Sequence, residues 1–496
     1  MGRQGGLLQL VALGKQDVFL TGNPQMTWFK MVYRRYTNFA IESQAMYFDG
    51  TPDFGKRITC LIPRRGDLLS QIILEVSLPA LTLTTGQAVS YVNSIGHALI
   101  QEISIEVGEQ EIDRQTGEWM EIWSNYTTPT DKQTGFYNMI GKVDGYSPNT
   151  VEGPIKLYIP LRFWFCKNPG LALPLIALQY HPVRINLTLR PLNQLYYSPL
   201  LTSPTCTNLD INPAKITSLM LWGDYIYLDS EERRRFVSST HEYLIEQVQY
   251  TAPLPIAPGA TSATLRMEFN HPVRELFWYI QRDDMTRYHE FFNYSSIGAN
   301  EVGNRQDMLQ DAVLQFDGFD RFESRDAGYF RLVQPWQHHT VIPEEYYVYS
   351  YSFALRPEDA QPSGSVNASR LDSMVLQVNL NPSIVTPPLV TTGTFTVSSF
   401  SSGSTSLVYT LGQTPILGAS LSGTGIASGT VVSSFNPGTS TLILSKQTIA
   451  NGASNTVITQ SQSSSYIAGT LHSRIYATNH NVFRIADGFG GVLFTI

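Results

Sequence analysis

The sequence predicts an all-β chain of two antiparallel sandwich domains, with a small β module inserted late in the second. Period-two alternation of apolar and polar residues recurs on both sides of the middle, as where Ile103, Ile105 and Val107 alternate with Glu102, Ser104 and Glu106. Tyr and Phe are abundant, and Ser, Thr, Gly, Pro and Asn crowd the stretches between short apolar runs, which suits strands and turns better than long helices. At 496 residues the chain is also too long for one ordinary core.

Residues 1–25 read as an N-terminal arm. Its apolar run from Leu7 to Leu13 is too short to span a membrane and is followed by Lys15-Gln16-Asp17. It lacks a signal-peptide cleavage pattern, and Gly6 stands where a myristoylation signal wants Ser or Thr. The arm is therefore expected to pack on protein. The first β domain, 26–229, contains the strand through Val107, a turn at Gly108-Glu109-Gln110 leading to Glu111-Ile112, and the alternating run Val183, Ile185, Leu187, Leu189. Pro174 to Gln179 is expected to form one or two helical turns, with Pro174 at the permitted first position. A strand-like run from Leu219 to Leu228 then meets a short helix, Ser230 to Phe236, capped by Ser230. That makes 230–240 the linker.

The second β domain takes 241–383 and 466–496. Leu265, Met267 and Phe269 alternate, as do Met374, Leu376, Val378 and Leu380, and Ala477 to Ile485 reads as a closing strand. Between these lies a different material, residues 384–465, in which Lys446 is the sole charged residue. Composition alone makes it a linker. An internal repeat favours an ordered module: Val397-Ser398-Ser399-Phe400 through Leu407-Val408 recurs as Val432-Ser433-Ser434-Phe435 through Leu442-Ile443. Each copy reads as strand, glycine-containing turn, strand.

A charged fraction of 15% is low, which suggests a surface covered by neighbouring copies. The formal charge of −7 argues against direct nucleic-acid binding. Glu231-Glu232-Arg233-Arg234-Arg235 reads as a solvated turn with Glu–Arg pairs at helical spacing. Cys60, Cys166 and Cys206 are far apart, so their number supports neither a disulfide framework nor a zinc site and suggests a reducing compartment.

No catalytic, cofactor or metal-binding residues are assigned, and the chain is read as a non-enzyme. His241-Glu242 lacks the second histidine of a zinc-protease motif, because Ile245 stands there. His338-His339 and Glu344-Glu345 are adjacent pairs whose members point to opposite faces of a strand. Asp283-Asp284 reads as a loop pair. Gly423-Thr424-Gly425 lacks the strand-then-helix setting of a nucleotide loop, and Gly488-Phe489-Gly490-Gly491 reads as a tight turn. Among four Asn-x-Ser/Thr tripeptides, Asn293 (expected in an exposed loop), Asn367 and Asn125 are the glycosylation candidates, while Asn186 sits on a strand.

The run Gln16-Asp17-Val18-Phe19-Leu20-Thr21-Gly22-Asn23-Pro24-Gln25 resembles the opening of one family, the major capsid proteins of nucleocytoplasmic large DNA viruses, especially the algal phycodnavirus type. The resemblance resumes at Arg65-Gly66-Asp67-Leu68-Leu69 and at Phe163-Trp164-Phe165-Cys166-Lys167-Asn168-Pro169-Gly170. It continues at Asp224-Tyr225-Ile226-Tyr227-Leu228-Asp229, Phe269-Asn270-His271-Pro272 and Tyr351-Ser352-Phe353-Ala354-Leu355-Arg356-Pro357, in the family's order. It implies two consecutive eight-stranded jelly rolls, a homotrimer of pseudo-hexagonal outline, and contacts with neighbouring capsomers in an icosahedral virion shell. It further implies minor capsid partners and an inner membrane reached by the arm, an outward-facing 384–465 module, and synthesis in the host cytoplasm. Two rivals remain: a carbohydrate-binding attachment protein, suggested by aromatic-rich loops and the Ser/Thr-rich insertion, and a cupin-type enzyme, which would need clustered histidines.

Overall fold

The structure is a computed structural model that describes residues 5–81, 89–143, 154–197, 215–287, 289–298, 305–382, 391–412, 420–428, 430–436, 440–462 and 470–495. Cys206 and the ends of the 384–465 stretch lie outside the described residues.

Among the described residues eight principal strands build the first domain as two four-stranded antiparallel sheets, with a short pair, Ser90–Tyr91 and Tyr196–Tyr197, beside them. One runs Phe39–Tyr47, Ser218–Leu228, Leu68–Leu78, Ile155–Pro160, and the other Arg57–Leu61, Val183–Leu189, Ile100–Val107, Gln110–Thr116. The second domain repeats that order. Its first sheet runs His241–Tyr250, Leu471–Ala486, Pro272–Arg282, Tyr349–Ser352, and its second Ser262–Met267, Met374–Leu380, Leu309–Phe316, Phe319–Asp320, with short strands added at the margins. In both domains the first principal strand pairs with the last, the last with the third, and the third with the sixth. The closing strand expected at Ala477 to Ile485 is longer, Leu471–Ala486, and lies between two neighbours rather than at an edge.

Alternation explains the burial. In Met374–Leu380, Met374, Leu376, Val378 and Leu380 are buried while Gln377 and Asn379 are exposed. The first sandwich closes over an apolar cluster with Leu74, Ile105, Ile159 and Leu187, which also takes in Ile245, Phe483 and Ile485 of the second domain, and the second closes over Leu276, Leu314, Leu376 and Ile475.

Between the penultimate and last principal strands of the second domain, six strands from Thr391–Val397 to Thr456–Gln462 close into a small antiparallel barrel. Phe395, Leu407, Leu421, Leu442 and Ile458 fill it. The described residues of this segment form a closed β unit.

The helical content differs from expectation. Pro174 to Gln179 is a turn, because Leu173 exchanges backbone hydrogen bonds with Leu69 (2.8 and 2.9 Å) and ties the segment to a strand. The linker helix exists as Ser230–Ser238, but Asp229, not Ser230, is its cap. Within it Arg233 reaches Asp67 (2.9 Å) instead of pairing with a helix glutamate. The two longest helices of the first domain, Gly117–Thr127 and Thr130–Ile140, were not expected, nor were the short Ile95–Leu99 and Trp164–Lys167. The first starts at Thr116, whose hydroxyl accepts from the Trp119 amide, with Glu118 favourably placed in the first turn. Gly117 is obligatory there, since a Cβ would lie 2.1 Å from the His97 carbonyl.

Candidate assembly surfaces

The helix Gly117–Thr127 carries Trp119, Ile122, Trp123 and Tyr126 on one face, which meets Phe277, Tyr279, Tyr294 and Tyr476 of the second domain. Trp119 stacks on Tyr476 and meets Phe277 edge-on, both with ring centroids at 5.5 Å. The Tyr126 hydroxyl donates to the Val348 carbonyl (2.8 Å). Buried aromatic pairs of this kind add stabilisation beyond the area they bury. The two sandwiches thus share a third core.

Charges reinforce the seam. Lys167 of the first domain pairs with Glu246 of the second, which also accepts from buried Arg274 (2.5 Å). Burial alone would raise the Glu246 carboxyl, but these two cations hold it down at about 2. Glu118 pairs with Arg190 beneath Arg474. Asp113 accepts from the Val248 amide across the seam (3.0 Å), and burial pushes its carboxyl up to about 6. Cys60 and Cys166 are free thiols that burial raises to about 11 and about 12.

The outer surfaces differ. Gly5–Val11 and Lys15–Thr21 are short helices, and every residue from Gly5 to Ser43 is exposed, with Trp28, Phe29 and Met31 each at least 86% accessible. The described residues of the arm do not pack on their own chain. Among the described residues no helix is long and apolar enough to cross a membrane.

The sequence-selected residues are scattered. His241 begins a strand and meets the Phe236 carbonyl. His338 turns to the Leu355 carbonyl, while His339 is buried between Glu275 (3.3 Å) and Glu358 (3.1 Å). Asp283 contacts His472, and Asp284 pairs with Arg282. Among the described residues no three potential ligands gather around a metal position.

The expectation of an exposed Asn293 is corrected. Its side chain is buried, and its amide donates to Glu290 (2.7 Å) and to the Ile297 carbonyl (3.0 Å). Asn125 is likewise buried and donates to the Glu121 carbonyl (2.8 Å), and Asn186 donates to Glu106 (2.6 Å). Asn367 alone of the three candidates is exposed. The seam helix and the Glu121 cluster escaped the sequence reading.

Residues 27–229 match the family described as major capsid protein N-terminus, and residues 232–410 match large eukaryotic DNA virus major capsid protein. The chain is 36% identical to the major capsid protein of Phaeocystis pouchetii virus, over 77% of this chain and 94% of that one. It is 38% identical to that of Paramecium bursaria Chlorella virus 1, over 75% and 87%. Among solved structures, PBCV-1 VP54 fitted into a reconstruction of the virophage Sputnik superposes with a TM-score of 0.67 at 29% identity, covering 95% of this chain and all of that one. The Faustovirus major capsid protein shares the fold at 12% identity, with a TM-score of 0.64 over 96% and 94%. The chain is a double jelly roll, and it belongs to the major capsid proteins of large eukaryotic DNA viruses.

Proposed function

We propose that the chain, a structural component of the virion capsid, acts without enzymatic activity as one third of a capsomer. Three copies close into a homotrimer of pseudo-hexagonal outline, and capsomers tile an icosahedral shell. The observation that carries this reading is the repeated strand order in two sandwiches locked by one aromatic seam. Three such chains present six similar edges, and closed symmetry satisfies each interface within the ring.

The uncovered arm supports a second part of the reading. Its apolar side chains are covered on assembly, by minor capsid proteins or the inner membrane beneath the shell. The barrel faces outward, Asn367 is the candidate for glycan attachment, and the chain is made in the host cytoplasm. The domain limits follow as 26–229 and 241–383 with 466–496, joined by 230–240. Raising salt over purified shells tests the hierarchy: shells dissolve into trimers that persist. Trimers that dissociate while shells remain would contradict it.

A further inference from the structure

Lys142 follows the helix Thr130–Ile140 and points back at the helix Gly117–Thr127. Its Nζ donates to Asn125 Oδ1 at 2.6 Å and to Glu121 Oε1 at 2.8 Å. The same Glu121 oxygen lies 3.3 Å from Asn125 Nδ2. An amine, a carboxamide and a carboxylate therefore meet at one point, with the carboxylate touching both nitrogens. Glu121 and Asn125 are buried, and the Lys142 side chain is only 13% exposed.

The triad is held from every side. His97 donates to the other Glu121 oxygen (2.6 Å), and the Asn125 amide is anchored on the Glu121 carbonyl (2.8 Å). Val143 is clamped by Asn93, which bonds both its amide and its carbonyl (2.9 and 3.1 Å). Gly141 takes a left-handed φ of +67°, and a Cβ there would lie 2.7 Å from Ile95. The Tyr137 ring lies 4.5 Å from Nζ. Such fixed proximity is what converts a slow bimolecular acyl transfer into an intramolecular one.

We propose that Lys142 and Asn125 join in an intramolecular isopeptide bond, with Glu121 as the proton-transferring catalytic residue. Glu121 takes a proton from the Lys142 ammonium, and the amine lone pair attacks Asn125 Cγ. The tetrahedral centre collapses as the bond from Cγ to Nδ2 breaks, with the electron pair leaving on nitrogen. Glu121 delivers its proton to that nitrogen and takes the second proton of the attacking nitrogen, so one ammonia departs, the new amide keeps one N–H, Glu121 is left protonated, and no oxidant or co-reactant is needed. The triad lines a cavity of about 360 Å3, which gives the ammonia a way out. The resting ion pair must first be neutralised, so the bond forms slowly and its fraction rises with time after folding. The product braces both helices beneath the aromatic seam.

The test is peptide mass spectrometry of aged, full-length protein cut with trypsin. Peptide 115–132, carrying Asn125, and peptide 133–156, uncut at Lys142, are expected as one species lighter than their sum by one ammonia. Lys142→Arg, which keeps the charge but lacks the nucleophile, and Glu121→Gln should each yield separate peptides. Separate peptides with unmodified Asn125 and Lys142 from the aged wild-type protein would overturn the proposal, and that readout needs no variant to fold. A joined species persisting in Glu121→Gln would overturn the assigned chemistry.

Discussion

Leu407 and Leu442 occupy equivalent places in the two copies of the Ser/Thr-rich repeat, and they are register partners on adjacent antiparallel strands. Ser406 faces Ile443 and Val408 faces Thr441, so the pairing is symmetric about the leucines. The barrel order preserves the symmetry, because exchanging each strand with its counterpart in the other copy leaves that order unchanged. A duplicated three-strand unit closed on itself accounts for both the repeat and the barrel.

Both leucines are buried, so truncating either should open a similar void. Leu407→Ala and Leu442→Ala are each expected to destabilise the barrel by about 2–5 kcal/mol. Hydrogen exchange should show the loss within 391–462, leaving the jelly rolls unchanged. Loss spreading through both sandwiches would contradict an independent barrel core.

Trp119 contacts Trp123, Phe277 and Tyr476, so Trp119→Ala removes the centre of the seam. The expected cost is about 3–5 kcal/mol, measured by urea unfolding. A single transition should also split in two as the sandwiches uncouple.

The alkaline limit of stability should depend on His339. Burial alone lowers its imidazolium, but Glu275 and Glu358 on either side outweigh this and lift it from 6.5 to about 9. Because the folded value exceeds the unfolded one, the stabilisation is complete below 6.5 and is lost as pH rises through about 9. The amount at stake is about 3 kcal/mol. Thermal melts from pH 6 to 10 should show a falling Tm in that window, flattened in His339→Gln.

Removing the arm should separate folding from assembly. The described residues that a chain beginning at Phe39 loses, Gly5 to Asn38, are all exposed, so its Tm should match the full chain. Shell formation, scored by electron microscopy, should fail. A large drop in Tm would show that the arm packs on its own subunit.

The strands were legible because alternation is local: Val183–Leu189 and Met374–Leu380 follow from their own residues. The seam helix left a signal that was overlooked. Trp119, Ile122, Trp123 and Tyr126 stand at i, i+3, i+4 and i+7 behind a Thr cap, but aromatic residues also favour strands. Pro174 opens no helix because tertiary pairing of Leu173 with Leu69 overrides a local start signal. Asn293 is buried rather than exposed because it packs on Glu290 and Ile297, neighbours whose packing no local pattern reveals. The Lys142–Glu121–Asn125 meeting depends on a helical hairpin that was itself unforeseen.

The proposed assembly unit of the shell is a trimer of this chain. Light scattering after size exclusion of the purified, untagged protein tests it most directly. A stable species at three times the 55.5 kDa chain mass, unchanged on dilution, is the predicted result. A monomer at assembly-competent concentration and pH would contradict it.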